Sequence, residues 1–521
     1  MKAFLARFRP LLVAVLCGFD RLRFRGDSRL LNHTSGVHSY CHQQRILHKD
    51  FPKHAQHLTD ILRAQTEADA RHHGVPLRHL DSPNLNKEAV ARELAHQHRR
   101  RNGRLAVLTC VESCSVYRPR KNQQGLLELR QQQGKCLHYY HYFHDDAVGP
   151  GYVRLQSWFP FTVHIGLNGR SWLCQQLRQR KIRFRARDNL LVHVADWEQA
   201  QALLDAQRQT DWPALLDRLT RPLQPLWQHL QEVARTPYYW MAEQTEWATD
   251  LLFRDPSDLA RWYARWLQHG ITVLSCQDVL RYLGKHVPET GYGNCKGEVS
   301  IDRRDRGEGA RLKMWHRHNS LKVYDKEGVA LRVETTINQP KDFRVWRQPE
   351  GAKPEDPKSW QQMRKGVADL DRRAAVSQSA NNRLLESLAS VTETTPLGVL
   401  LRPLTEPVVA GSGRRVRGLR PWSAEDGAML RCVSQGEFLL HGFRNRDVRQ
   451  ALYPATEDKT EQRRQASQVT RRLALLRAHG LIVKVQKTHR YQLSAEGRRV
   501  TTALLNAEAA DVNALAAAAA A

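Results

Sequence analysis

The stretch SLKVYDKEGVALRVETTIN, Ser320 to Asn338, alternates apolar and polar residues on both sides of a glycine. Period-two alternation marks strands with one buried face. Leu321 and Val323 alternate with Lys322 and Tyr324, and Leu331 and Val333 alternate with Arg332 and Glu334. A three-residue loop, Lys326-Glu327-Gly328, puts glycine at the left-handed position that such loops favour. That register sets Tyr324 opposite Ala330, Val323 opposite Leu331 and Lys322 opposite Arg332. Leu321, Val323, Leu331 and Val333 then share one face, and Lys322, Tyr324, Arg332 and Glu334 share the other. A slip of one residue would mix the faces. Lys322 and Arg332 repel each other unless an anion or Glu334 lies between them.

Strands continue on either side. CKGEVSID, ARLKMWH and DFRVWR surround the hairpin, and RLAVLTCVE, KCLHYYHYFHDD and GYVRLQSWFPFTVHIGL form an earlier cluster. Between the clusters the chain reads as helix, as in DPSDLARWYARWLQHG, which enters at Asp255-Pro256 and ends at Gly270. The expected fold class is α+β. Two separated strand clusters build a central antiparallel sheet flanked by helices, and a smaller C-terminal domain follows. The expected divisions are a mainly helical region with one strand, 1–101; an α+β body, 102–350; a helix and flexible basic linker, 351–419; a smaller C-terminal domain, 420–510; and a low-complexity tail, 511–521. The opening MKAFLARFRPLLVAVLCGF imitates a signal peptide, but its apolar run is short and lacks a small-x-small cleavage site. A helix packing onto a first strand at Phe19–Phe24 is expected instead.

The chain has 521 residues and a net charge of +28, from 81 basic and 53 acidic side chains spread along its length. Such self-repulsion points to a polyanionic partner, nucleic acid before a membrane surface. No apolar stretch is long enough to span a bilayer. Nine cysteines without a CxxC pair argue against a zinc site of the usual spacing and for reduced thiols in a cytoplasmic protein. No Walker glycine loop is present, so neither a nucleotide nor an organic cofactor is expected.

From Trp422 the order reads helix, helix, helix, hairpin, helix. Ser423 with Asp426 three residues on has the form of a capping box, and Pro454 stops the second helix. The third, from about Glu461 to His479, carries the apolar stripe Val469, Leu473 and Leu476. Its other face shows Arg463, Arg464, Gln468, Arg471 and Arg472. A ribbon follows around Lys487-Thr488-His489, with Lys484 and Arg490 on its arms, and Ser494 caps a last helix. Residues 420–499 hold 16 Lys and Arg against 8 Asp and Glu, a net +8. VTRRLALLRAHGLIVKVQKTHRYQLSAEGRR resembles the winged helix-turn-helix of bacterial repressors. The resemblance implies a helix in the major groove and a basic wing on flanking phosphates.

The hairpin NSLKVYDKEGVALRVETTIN resembles the rolling-circle replication initiators of plasmids and phages, in which Tyr-Asp-Lys leads into Arg-x-Glu. The resemblance implies a metal-dependent tyrosine endonuclease that cuts one DNA strand and stays joined to the 5′ phosphate. Tyr324 would be the nucleophile, with Lys322 and Arg332 on the phosphate and Lys326 adding charge to the nucleic-acid contact. Glu298 and Glu334 would hold Mg or Mn, with His316 and His318 of WHRHN as further ligands. In HYYHYFHDD, His138 and His144 share a strand face about 20 Å apart, too far for one metal. Tyr140 and Tyr142 between them either stack bases or pack a core. The expected function is therefore binding of single- and double-stranded DNA, in replication initiation or transposition, with a nick by Tyr324. A non-enzymatic winged-helix regulator or structural binder is the alternative, with RNA as another polyanion. Oligomeric state is not legible.

Overall fold

The computed structural model describes residues 1–234, 238–285, 297–303, 310–353, 355–391, 397–409, 413–435, 438, 442–485, 488–508 and 510. The fold mixes helix and sheet and divides into two compact units. One comprises residues 16–249 and 336–377, and the other comprises 1–15, 250–335 and 378–521.

The first unit is built on strands β1 (Leu12–Asp27), β2 (Leu77–Leu80), β3 (Gly103–Lys121), β4 (Leu127–Asp145), β5 (Gly149–Gln156), β6 (Val163–Asn168) and β9 (Tyr239–Phe253), with a small hairpin of β7 (Phe184–Arg187) and β8 (Leu190–Val194). The order in the sheet is β9-β1-β6-β5-β4-β3-β2. β3, β4, β5, β6 and β1 pair antiparallel in turn, but β2 joins β3 in parallel. The sheet is thus mixed, where a purely antiparallel one was expected. A connection through the helix Lys87–Gln97 brings β3 alongside β2 in the same direction, as a crossover permits and a tight turn does not.

The ladders fix which residues share a face. Phe24 pairs with Ile165, Val153 with Ile165 and His141 with Val153. These side chains form one apolar face with Tyr139, Phe143, Leu155 and Val163, against which Phe51, Ala55, Leu58 and Leu62 of the helix Phe51–His72 pack. Arg23 pairs with Gly166, Gly166 with Tyr152, and Tyr140 with Arg154. These lie on the opposite, polar face. Gly166 is required there, because a Cβ would stand 2.2 Å from the Tyr152 ring.

The apolar run Leu11–Gly18 corrects one expectation. The helix ends at Phe8, and β1 already begins at Leu12, so the run is strand and not helix. Alternate residues Leu12, Ala14 and Leu16 are buried, the period of a strand with one face inward.

The second unit contains β10 (Gly297–Arg303), β11 (Ala310–His316), β12 (Asn319–Lys326) and β13 (Ala330–Ile337), neighbours in that order. The helix Pro256–Thr272 covers one face: Tyr263 Oη donates to the carbonyls of Ala310 at 2.5 Å and Val323 at 3.2 Å. A second core lies among the C-terminal helices, from Leu400 to Leu504. Among the described residues no helix is long and apolar enough to cross a membrane.

His141 gives the first unit an acid sensitivity. It is buried, its Nε2 has no hydrogen-bond partner among the described residues, and desolvation with help from Arg104 lowers its pKa to about 3. The unfolded chain binds this proton near the ordinary histidine value of 6.5. The stability it contributes is complete above that value and is lost as pH falls toward 3. Melting temperatures measured from pH 7 to pH 5 should therefore drop, and His141→Leu should flatten the drop. An unchanged slope in the variant would assign the acid loss to other groups.

Candidate functional site

The hairpin that opened the sequence forms, with a shifted loop. β12 ends at Lys326 and β13 starts at Ala330, so Glu327, Gly328 and Val329 lie between the strands. Glu327 and Gly328 both have positive φ, 58° and 68°, and Val329 N donates to Lys326 O at 3.3 Å. Lys326 thereby belongs to the strand and is buried, not placed on an exposed loop as expected.

The expected polar grouping is only partly present as one set. Lys322 Nζ donates to Glu334 Oε1 at 2.7 Å, and Tyr324 Oη donates to Glu334 Oε2 at 3.0 Å. Arg332 instead reaches Asp250 in the last residues of β9, which belong to the same unit as Arg332, with Nε to Oδ1 at 2.5 Å and Nη2 to Oδ2 at 3.1 Å. With the loop at Glu327–Val329 the strand ends are Lys326 and Ala330, which moves Lys322 from the expected place opposite Arg332 to one opposite Glu334, so the anticipated repulsion does not arise and each cation has its own carboxylate. All are withdrawn from solvent: Arg332 is 0 % exposed, Glu334 3 % and Tyr324 5 %. Burial pushes the Glu334 carboxyl up, but Lys322, Arg332 and the Tyr324 hydroxyl together hold it below the ordinary carboxylate range. Chemically this is a phenol held against an ionised carboxylate, with a lysine on the carboxylate's other oxygen.

Asp250 was missed by the sequence reading. Its signal is visible afterwards: one aspartate inside TEWATDLLF, an apolar and β-branched run. An acid there needs a buried cation.

The proposed metal ligands do not converge. Glu298 pairs with Trp315, which pairs with Ser320, four residues before Tyr324. Two strand spacings and that rise put Glu298 roughly 16 Å from Tyr324, and Glu298 is exposed. His316 follows Trp315 and so points to the face opposite Lys322 and Tyr324. His318 lies in the turn after β11, exposed, and shares no strand face with His316. The tight turn, with Arg317 at φ 54°, removes the strand period on which the pairing relied.

In the C-terminal region the order helix, helix, helix, hairpin, helix is present, as Ala424–Val433, Asn445–Leu452, Lys459–Ala478, Ile482–Lys484 with Tyr491–Leu493, and Ala495–Glu508. Phe443 adds an antiparallel bridge to Tyr491. Ser423 caps its helix by accepting from Asp426 N at 3.2 Å, but Asp426 turns away to Arg417 and Arg420 N, so the capping box is not closed. Ser494 accepts from Gly497 N at 2.9 Å, and Gly480 ends the long helix at φ 72°.

On the helix Lys459–Ala478 the stripe Val469, Leu473 and Leu476 is buried as expected. Of the polar set, Arg463, Arg464 and Arg471 are exposed. Arg464 pairs with Glu461 at 3.5 Å, Arg472 is half-buried against Glu425 at 3.2 Å, and Gln468 accepts from Tyr453 Oη at 2.8 Å. Arg477, not singled out from the sequence, is exposed on the same side. At 100° per residue Arg463, Arg471 and Arg477 span an arc of about 120°, with only Ser467, Thr470 and Ala474 between them. None of the three has a carboxylate within ion-pair distance among the described residues. Lys484 and His489 are exposed on the hairpin, Arg490 is half-buried, and Lys487 lies outside the described residues.

On β4 the aromatic run divides between the faces. Tyr139, His141 and Phe143 are core. Tyr140 is buried under the helix Lys87–Gln97 and donates to Glu112 at 2.7 Å. Packing thus accounts for most of the run, while Tyr142 is half-buried on the polar face.

Removing one member of a buried ion pair leaves the other without compensation, at a cost of about 3–5 kcal/mol. Arg332→Met should lower the unfolding free energy by that amount in chemical denaturation. A loss under about 1 kcal/mol would mean that Asp250 is neutral or otherwise satisfied. No family model matches the chain, and no curated protein or solved structure is significantly similar to it.

Proposed function

We propose that this protein binds nucleic acid, with duplex DNA gripped by the C-terminal helices and hairpin. The observation that carries this reading is the exposed arc of Arg463, Arg471 and Arg477, interrupted only by small side chains. Short residues between arginines let a helix approach a groove while the guanidinium groups reach phosphates or base edges. The order helix, helix, helix, hairpin, helix over Ala424–Glu508 supports a winged-helix reading, in which Lys484 and His489 on the hairpin would meet flanking backbone. The net charge of +28 favours a polyanion over any neutral partner.

A replication-initiator role with strand cleavage is the second reading. It rests on the Tyr324 hydroxyl held 3.0 Å from the Glu334 carboxylate, a phenol beside a base. Against it stand the burial of Tyr324 and the separation of Glu298 from Glu334. An attack on DNA from this centre requires the tyrosine to become accessible.

Duplex and single-stranded DNA should be titrated with the full chain over a range of salt. Each phosphate-binding arginine lost should reduce the slope of log K against log salt by about 0.9 on duplex. Arg463→Ala and Arg471→Ala should each show this. Salt-independent binding, or identical slopes in wild type and variants, would remove the C-terminal region from the interface. Supercoiled DNA incubated with Mg²⁺ or Mn²⁺ tests cleavage: a covalent 5′ adduct absent from Tyr324→Phe supports the initiator reading, and binding without adduct leaves a regulator or structural binder.

A further inference from the structure

The polar face of the first unit carries a donor set that spacing along the chain does not reveal. Cys114 lies on β3, and Cys136 and His138 lie on β4. In the ladder Cys114 is opposite Gly134 and Glu112 is opposite Cys136. Residues opposite or two apart share a face, so both thiols and the imidazole point to the same side. The two Sγ atoms are 3.1 Å apart, and one donor atom from each of the three residues lies within 4.8 Å of the others.

The surroundings favour a ligand over simple packing. His138 is 1 % exposed, yet its Nδ1 has no hydrogen-bond partner among the described residues. A buried ring nitrogen without a partner is costly unless something is bound to it. Gly134 keeps the position opposite Cys114 clear of a side chain, and the Val116 methyl already stands 2.6 Å from where a Cβ would be. Glu112 is not available as a further ligand, being held by Lys87 at 2.9 Å, Arg154 at 2.8 Å and Tyr140 at 2.7 Å.

We propose that Cys114, Cys136 and His138 hold a zinc(II) ion. Two sulfur donors and one imidazole suit a borderline-soft ion without geometric preference of its own. Zinc–sulfur bonds of about 2.3 Å at a tetrahedral angle place the sulfurs about 3.8 Å apart. A small rotation about each cysteine χ1 supplies the difference. Both thiols give up a proton to solvent on binding, so the dithiolate neutralises the dication. Three protein ligands and one open position are the arrangement of a site that can take water or a substrate atom.

The test uses the full chain, stripped with a chelator, supplied with Zn²⁺ and desalted. The wild type should retain one zinc per chain more than Cys114→Ser and Cys136→Ser do, and His138→Gln should retain it more weakly. Co²⁺ in place of zinc should give a thiolate charge-transfer band in the wild type that both serine variants lack. Melting curves of the metal-free proteins separate lost ligands from lost fold, and Cys114→Ser, at a half-buried position, is the variant least able to unfold the chain. Equal zinc in wild type and Cys114→Ser would overturn the site. So would a mass two hydrogens lighter, formed with oxidised glutathione while excess zinc is present, because the pair would then be a disulfide.

Discussion

Arg332 sits in the middle of a sheet with no exposure at all, and that forces much around it. A guanidinium cannot shed its proton, so the neighbouring strand must bring a carboxylate to it. Asp250 on β9 meets that requirement with two hydrogen bonds. Lys322 cannot then share Asp250, and it takes Glu334, whose second oxygen fixes the Tyr324 hydroxyl. One buried cation thus determines the orientation of four other side chains across three strands. The arrangement specifies register more than it adds stability, since an apolar set of equal volume could pack as well.

The same need to satisfy polar groups separates the two faces of the first unit. One face is continuous hydrocarbon from Phe24 to Phe143 beneath a long helix. The other mixes arginines, tyrosines and histidines, with a helix over part of it. The C-terminal helices divide differently, burying one stripe and leaving arginines without carboxylates in solvent. An excess of positive charge is therefore presented on a defined helix face as well as distributed in the composition.

How much of this was legible depended on the range of the interaction. The hairpin from Ser320 to Asn338, the C-terminal helix order and the stripe of Val469, Leu473 and Leu476 follow from periods of two and of 3.6, which are local. The Gly480 stop and the Ser494 cap are local too. What failed needed partners far along the chain. Asp250 was invisible because its cation lies 82 residues away. Glu298 was grouped with Glu334 as a metal ligand, whereas β11 and β12 stand between β10 and β13. Cys114 and Cys136 looked unrelated because only the β3–β4 ladder brings them together. Lys326 was misplaced by a one-residue error in the loop, the range at which turn chemistry competes with strand pairing.

The pairing of β1 bears on how the chain comes to fold. β3 and β4 meet through the short turn at Asn122–Leu126, so their ladder can close as soon as both are made. β1 is made first but has no early partner: Arg21 waits for Asn168, and the other neighbouring strand, β9, begins only at Tyr239. Long-range pairing of this kind is slow, because much of the chain must be ordered before any contact rewards it. For much of synthesis the run LVAVLCGF is therefore an apolar strand with both edges open, the kind of segment that associates with other chains. The basic residues just before it, Arg7 and Arg9, and those just after it, Arg21, Arg23 and Arg25, place like charges at both ends. Two copies of the nascent segment would repel one another during the interval in which they are most exposed.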